Sequence, residues 1–212
     1  MAESAPTPAF TLRVDDDLEL VLREVWTAVP LARVIADHLE HLRAWEPWAQ
    51  GEQTLEGLTA FTRSQLAAWL DGRSVPTAVR WRGELVGAVG ASVDAWTGTA
   101  ELGYWVAADA QGHGVVTRSC AALVDHLVAA HGVGRVEARC CVGNTRSRAV
   151  AERLGLRLDG VLPAALPLRG RREDVALYGL ATEHWRPLRR CGSGGHRTSS
   201  ARSRQMEVAD PT

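Results

Sequence analysis

The amino-acid sequence predicts an α/β (α+β) domain in which a central mixed, mostly antiparallel sheet is flanked by helices, in the order β-α-α-β-β-β-α-β-α-β-β. Three observations carry this reading. The apolar period switches repeatedly between two and about 3.6 residues, so strands and helices interleave. Three strand-like runs between 77 and 106 are joined by short turns, which antiparallel neighbours allow. A strand, helix, strand crossover over 99–142 then requires one parallel pair inside the same sheet. At 212 residues the chain can bury a sizeable core and hold one domain and a tail.

Taken in order, 18–24 (LELVLRE) alternates as a strand does. From Thr27 to Leu42 the positions Leu31, Val34, Ile35, Leu39 and Leu42 follow helical spacing. A second stripe, Leu55, Leu58, Phe61, Leu66 and Trp69, ends at the stop signal Asp71-Gly72. The hinge between these helices holds Trp45, Pro47 and Trp48. Thr77–Trp81, Glu84–Val93 and Thr99–Val106 read as a meander broken at Arg82-Gly83 and Trp96-Thr97-Gly98. After Gly112-His113-Gly114 comes a helix of about five turns with Cys120, Leu123, Val124, Leu127 and Val128 on one face. Val136–Val142 is a strand, Asn144–Leu154 a helix capped by Asn144, and Leu156–Tyr178 a hairpin turning at Arg169-Gly170.

Hydrophobic residues make up 46% and charged residues 23%. That profile excludes wholesale disorder, collagen and coiled coil. No apolar run approaches the ~18 residues of a membrane span. The opening MAESAPTPAF has neither a basic nor an apolar signal region, so a cytoplasmic address and no membrane partner are expected. Four Cys, at 120, 140, 141 and 191, form no metal-ligand or disulfide framework. Reduced, inert thiols are expected, with Cys140 and Cys141 on opposite faces of one strand, and no metal is implied. All 24 basic residues are Arg. Up to Trp185 acids outnumber Arg, while the stretch from Arg186 to Met206 holds six Arg and no acid. The expected organisation is a flexible N-terminus (1–10), one domain (11–186) and a disordered Arg/Ser/Gly-rich tail (187–212), for which a nucleic-acid contact is not expected.

The most informative segment is Gln111-Gly112-His113-Gly114-Val115-Val116-Thr117, between a strand and a long helix. Two glycines let the backbone turn sharply and leave helix N-terminal amides uncovered, which suits a pyrophosphate. A plain helix-entry turn explains two glycines equally well. The Walker loop and the six-residue dinucleotide fingerprint are both absent.

Glu101–Val106, Gln111–Thr117 and Val136–Gly155 together resemble, in the right order, the GNAT superfamily of acyl-CoA-dependent N-acetyltransferases, RimJ/RimL type, over about residues 10–186. The resemblance implies that the GNAT fold holds acetyl-CoA as cosubstrate. Gln111, Gly112, His113, Gly114, Val115 and Val116 would bind its pyrophosphate. A backbone N–H near Val106 would stabilise the thioester oxyanion. Asn144 would bond the pantetheine arm, lying in a gap between splayed strands. Many members carry a Tyr seven residues after that Asn, where this chain has Ala151; the RimL type uses a Ser three residues after it, and Ser147 stands there as the implied proton donor. Trp45 and Trp48, in Leu42-Arg43-Ala44-Trp45-Glu46-Pro47-Trp48, would be a substrate wall or a packing anchor at the acceptor rim. The position of the family's hairpin Glu, its proposed base, is Leu166 here.

A strong base is not required for an α-amine, whose pKa of about 7.7–8 leaves part of it neutral near pH 7.5. Solvent, or a carboxylate acting through water, would take the proton, with Glu101 the leading candidate and Glu173 and Asp174 weaker ones. The expected activity is acetyl transfer to a primary amine, the N-terminal α-amine of a peptide or protein, by direct attack in a ternary complex. The alternatives are a small-molecule amine or natural-product peptide as acceptor, as in antibiotic tailoring or resistance, or a CoA-binding module without catalysis. A homodimer stays open.

Overall fold

The computed structural model describes residues 8–188. The expectations for residues 1–7, for the basic tail beyond Leu188 and for Cys191 lie outside the described residues. The N-terminal half comprises β1 (Thr11–Arg13), β2 (Leu18–Leu22), α1 (Ala28–Asp37), α2 (Leu39–Arg43), α3 (Leu55–Leu70), β3 (Ser74–Trp81) and β4 (Glu84–Asp94). The remainder comprises β5 (Thr99–Val106), α4 (Val115–His126), β6 (Arg135–Cys141), α5 (Thr145–Arg153), β7 (Arg157–Leu168) and β8 (Arg171–Ala181). The eight strands form one sheet in the order β1-β2-β3-β4-β5-β6-β8-β7, antiparallel throughout except for the expected parallel pair of β5 and β6.

The architecture follows the sequence reading, with three differences. β1 is additional: a short edge strand is selected by its pairing with β2 and leaves no periodic signature. The expected helix over 27–42 is broken at His38, whose φ of −120° lies outside the helical range, and α2 starts afresh after it. The stripe on α3 is only partly covered: Leu58 packs inward, whereas Leu55 and Phe61 are 48% and 49% exposed. The Arg23 guanidinium lies 4.9 Å from the Phe61 ring centroid, so the ring meets a cation where the stripe suggests core.

The centre of the sheet is covered on both faces, while β7 at its edge is exposed from Arg157 to Ala165. On one, Cys120, Leu123, Val124 and Leu127, all fully buried, pack with Val136, Ala138 and Tyr178. Burying one such leucine contributes about 1.5–3 kcal/mol. On the other, Leu31, Ile35 and Leu42 pack with Ala78 and Trp105. Side chains alternate along β5, so Tyr104 belongs to the α4 and α5 side and its neighbour Trp105 to the α1 to α3 side.

Two details of β5 shape the site. Its parallel pairing with β6 runs from Thr99↔Arg135 to Leu102↔Ala138 and stops, although β5 continues to Val106 and β6 to Cys141. The sheet is therefore open between Gly103–Val106 and Arg139–Cys141. On the other side of β5, Gly87 of β4 faces Val106, and a Cβ there would collide with the Trp105 carbonyl oxygen. Glycine at 87 thus lets β4 hold the end of β5 in place beside the open seam.

Candidate active site

The seam opens into a cleft of about 860 Å3 whose floor is Tyr104, Trp105 and Val106. One wall is the turn before α4. Gly112 and Gly114 have φ of 79° and 71°. Both values lie in the left-handed region that side chains disfavour. Gly114 is the N-cap of α4 and supplies no side-chain cap. The first amides of this three-turn helix therefore face the cleft uncovered. A Cβ on Gly112 would meet nothing within 4 Å. These residues fit a pyrophosphate, and the seam beside them fits an extended arm pairing as a strand would.

The turn is braced from outside. Arg118, one helical turn further on, donates to the His113 carbonyl at 3.4 Å and pairs with Asp15 and with Asp17 at 3.1 Å. Arg118 pulls the Asp17 carboxyl down to about 2. The His113 ring lies 5.0 Å from that of Trp81, which turns it out of the cleft. Gln111 faces inward. Its Oε1 accepts from Arg146 at 2.7 Å, and its Nε2 lies 2.6 Å from His41 Nε2. The amide nitrogen must donate, so His41 accepts and is neutral. Burial first, and Arg146 second, hold its pKa below the usual histidine value.

At the apex of the seam, Asn144 caps α5: its Oδ1 accepts from the Ser147 amide at 3.1 Å. That bond uses the side-chain oxygen and leaves Nδ2 as the donor for a carbonyl in the cleft. The Ser147 hydroxyl lies 3.1 Å from Tyr104 Oη and 3.2 Å from Cys140 Sγ. Tyr104 in turn donates to the Ser147 carbonyl at 3.0 Å, so its phenol oxygen is an acceptor for Ser147. Burial, then Cys140 and Cys120, push the phenol far above the usual tyrosine range, so it stays protonated and keeps Ser147 oriented. Cys120, Cys140 and Cys141 are buried and free, and burial pushes the Cys140 thiol upward.

The facing wall is the α2 end and the turn after it. Trp45 covers the chain entering α5, where a Cβ on Gly143 would sit 3.5 Å from its ring. Trp48 sits 5.7 Å from Trp105. Arg169, at the turn between β7 and β8, lies 5.5 Å from the Trp45 ring centroid. Between the two tryptophans stands Glu46, half-buried and lining the cleft. The Trp48 indole N–H donates to Glu46 Oε2 at 2.8 Å. Burial pushes the Glu46 carboxyl up to about 7, and the indole bond partly offsets this.

Of the residues that the sequence points to, Ser147, Asn144, Val106, Gln111, Gly112, Gly114, Val115, Val116 and Trp45 come together around the cleft. Four do not line it. Glu101 sits in the zipped part of β5, opposite Glu137, and its carboxylate lies 3.3 Å from Arg139. His113 is turned to Trp81 as described. Trp48 stands behind Glu46, against Trp105. Leu166 is half-buried on β7 opposite Glu173, whose carboxylate lies 2.5 Å from Arg171 and 3.3 Å from Arg169. Arg171 above all holds that carboxylate below its usual value. Glu46, Tyr104, His41 and Arg146 line the cleft without being expected there. Alternation along β5 is enough to place Tyr104 on the Ser147 side; Glu46 stands inside the Trp-containing segment, but its burial is a tertiary property.

A bare-amide turn at a helix start, a sheet opened beside it and a hydroxyl at the apex define an acyl-CoA-dependent transferase. The acetyltransferase (GNAT) domain family matches residues 19–157, and the chain belongs to it: it is an acetyl-CoA-dependent N-acetyltransferase. It is 28% identical over 169 residues, 79% of this chain and 94% of the relative, to the ribosomal-protein-serine acetyltransferase of Escherichia coli strain K12. Its fold matches that of RimL, the ribosomal L7/L12 alpha-N-protein acetyltransferase in complex with coenzyme A, at TM-score 0.79 and 23% identity over 81% of this chain and 98% of RimL. The microcin C7 self-immunity acetyltransferase MccE, solved with acetyl-CoA and AMP, matches at TM-score 0.75 and 25% identity over 79% of this chain and 94% of that one. No described helix is long and apolar enough to cross a membrane, and no group of three or more described His, Cys, Asp or Glu could hold a metal ion.

Proposed function

We propose that this acetyltransferase modifies the N-terminal α-amine of a peptide or protein, by direct attack on acetyl-CoA in a ternary complex. The observation that carries the reading is a single cleft with two differently built walls: uncovered amides at Gly112–Val116, and the aromatic-carboxylate wall of Trp45 and Glu46 facing them across the seam. The amides and Gln111 to Val116 hold the pyrophosphate of the cosubstrate. Asn144 and the open strand edges hold its arm. An amide near Val106 stabilises the oxyanion, and Ser147 supplies a proton to the departing sulfur. A flexible chain end enters from the Trp45 side. The activity of the E. coli relative on a ribosomal-protein serine supports this acceptor class.

One observation favours a second reading, a small amine carrying a flat group. Trp48 is 40% exposed and leans on Trp105, and MccE was solved with AMP. An exposed indole beside the cleft is a stacking surface. Thiol release from acetyl-CoA, measured across peptides with free or blocked N-termini and across small amines, separates the two. The expected result is release with free peptide termini, a mass gain of one acetyl group on them, and none when the terminus is blocked. Release with small amines alone overturns the peptide reading.

A further inference from the structure

We propose that Glu46 is the catalytic base of the acceptor side: its carboxylate takes the proton from the attacking amine. The inference rests on the acetyltransfer reading above and names a residue for the step that the hairpin leaves empty at Leu166.

Geometry places the group. Glu46 lies between two tryptophans that reach the ends of the two splayed strands, Trp48 against Trp105 of β5 and Trp45 against Gly143 just after β6. A carboxylate held between those two contacts lines the same cleft as Val106, Asn144 and Ser147, the space an amine must cross to reach a thioester lying in the seam. The indole N–H fixes Oε2, and Oε1 has no hydrogen-bond partner among the described residues, so one oxygen is anchored and the other keeps its lone pairs for a proton. The competing carboxylates are each engaged: Glu101 with Arg139, Glu173 with Arg171 and Arg169, and Asp174 accepts from the Ala164 amide at 2.8 Å.

The charged groups around Glu46 do not take its role. On α2, Arg43 pairs with Glu40 and donates to the Ala49 carbonyl, and His41 accepts from Gln111. From α5, Arg146 is held by Gln111, while Arg153 adds positive charge to the cleft. From α4, Arg118 is held by Asp15 and Asp17. Arg169 and Arg171 on the hairpin hold Glu173. Burial and the Trp48 bond are what set the titration of Glu46, at about 7. A base of that strength is substantially ionised at neutral pH and still takes a proton from an amine losing its lone pair to carbon.

The step balances. The nitrogen lone pair forms the C–N bond, the C–S bond breaks, and its electron pair leaves on sulfur. One proton passes from nitrogen to Glu46 and one from the Ser147 hydroxyl to sulfur, giving amide and thiol; exchange with water restores both residues without net proton change.

The test compares wild type, Glu46→Gln, Glu46→Asp and Trp48→Phe on two acceptor peptides of different N-terminal amine pKa. In wild type, kcat/KM should rise with pH through a limb near 7 that keeps its midpoint when the acceptor is exchanged. Glu46→Gln keeps the indole bond and the shape of the wall; it should lose about 10²- to 10⁴-fold in kcat, bind acetyl-CoA as wild type does, and lose that limb. Glu46→Asp should restore part of the rate and the limb. Trp48→Phe removes a bond made to the ionised form, so the limb should move to higher pH. Glu46→Gln within threefold of wild type, or a limb near 7 surviving in it, overturns the assignment while leaving the acetyltransfer reading intact. A wild-type enzyme that releases no thiol with any peptide overturns both.

Discussion

Tyr104 and Trp105 are neighbours on β5 and serve opposite halves of the cleft. Tyr104 belongs to the half that we propose holds the acyl donor, where the turn at Gly112–Gly114, the α4 amides, Asn144 and Ser147 are all within a step of a helix start. Trp105 belongs to the acceptor half, assembled from the turn after α2, the tip of the β7–β8 hairpin and one strand. On this proposal the donor half recognises through backbone, so its requirements are conformational: a left-handed φ, a bare amide, a cap. The acceptor half recognises through side chains whose properties come from one another, a carboxylate raised by burial and a tryptophan held by an arginine. Each feature of the first is set within a few residues of a helix start, although Arg118 with Asp15 and Gln111 with His41 tie the turn to distant segments. The second depends on contacts between segments far apart in the sequence.

Substitutions on the two halves should therefore separate in what they move. The largest effect belongs to Gly114→Glu, which puts a carboxylate and an unfavourable left-handed side chain where we propose that the pyrophosphate binds. Acetyl-CoA affinity should fall by at least about 100-fold, while circular dichroism keeps the α/β signature; calorimetry showing wild-type binding would dissolve the distinction between the halves. Ser147→Ala comes next. It should lower kcat by about 10²-fold or more with acetyl-CoA binding unchanged, and a loss below about threefold in single-turnover experiments would leave Ser147 only its place in the first turn of α5. The smallest effect is expected for Arg169→Ala, which removes the contact with Trp45. Such a contact is worth about 0.5–1 kcal/mol at an exposed site, so KM for the acceptor should rise about two- to fivefold with kcat and acetyl-CoA affinity unmoved. A change in acetyl-CoA affinity there would show that the halves are coupled.

The same division explains what is legible in the sequence. The meander, the crossover and the capped helices announce themselves through local periodicity and through Gly, Asn and Asp at element ends, and the donor turn is one of those ends. Ser147 is legible only through the resemblance, which sets a Ser three residues after the capping Asn144. Glu101 misleads because its strand does border the cleft, but the residue falls in the zipped part of the ladder; where a parallel pair parts company is decided by packing behind it. Glu46 is silent because an acid between tryptophans in a hinge looks like surface until the hinge is folded against β5. Leu166 marks a hairpin position with no acid of its own, and the ladder adds that the acid across from it, Glu173, is already matched by two arginines.

The seam between β5 and β6 has a consequence of a different kind. Unpaired strand edges invite other chains to add on, and proteins usually hide theirs at the rim with charges, bulges or short strands. Here an open edge lies in the middle of the sheet, with α4 and α5 on one face and the helices α1 to α3 on the other. A second polypeptide strand would have to place side chains on both faces, where those helices already pack. A pantetheine arm, which carries side groups only at its pantoate end, is slimmer. At the seam, girth thus does the work that charge does elsewhere: hydrogen-bonding groups stay exposed for a slender visitor where a second strand would meet the helices on both faces.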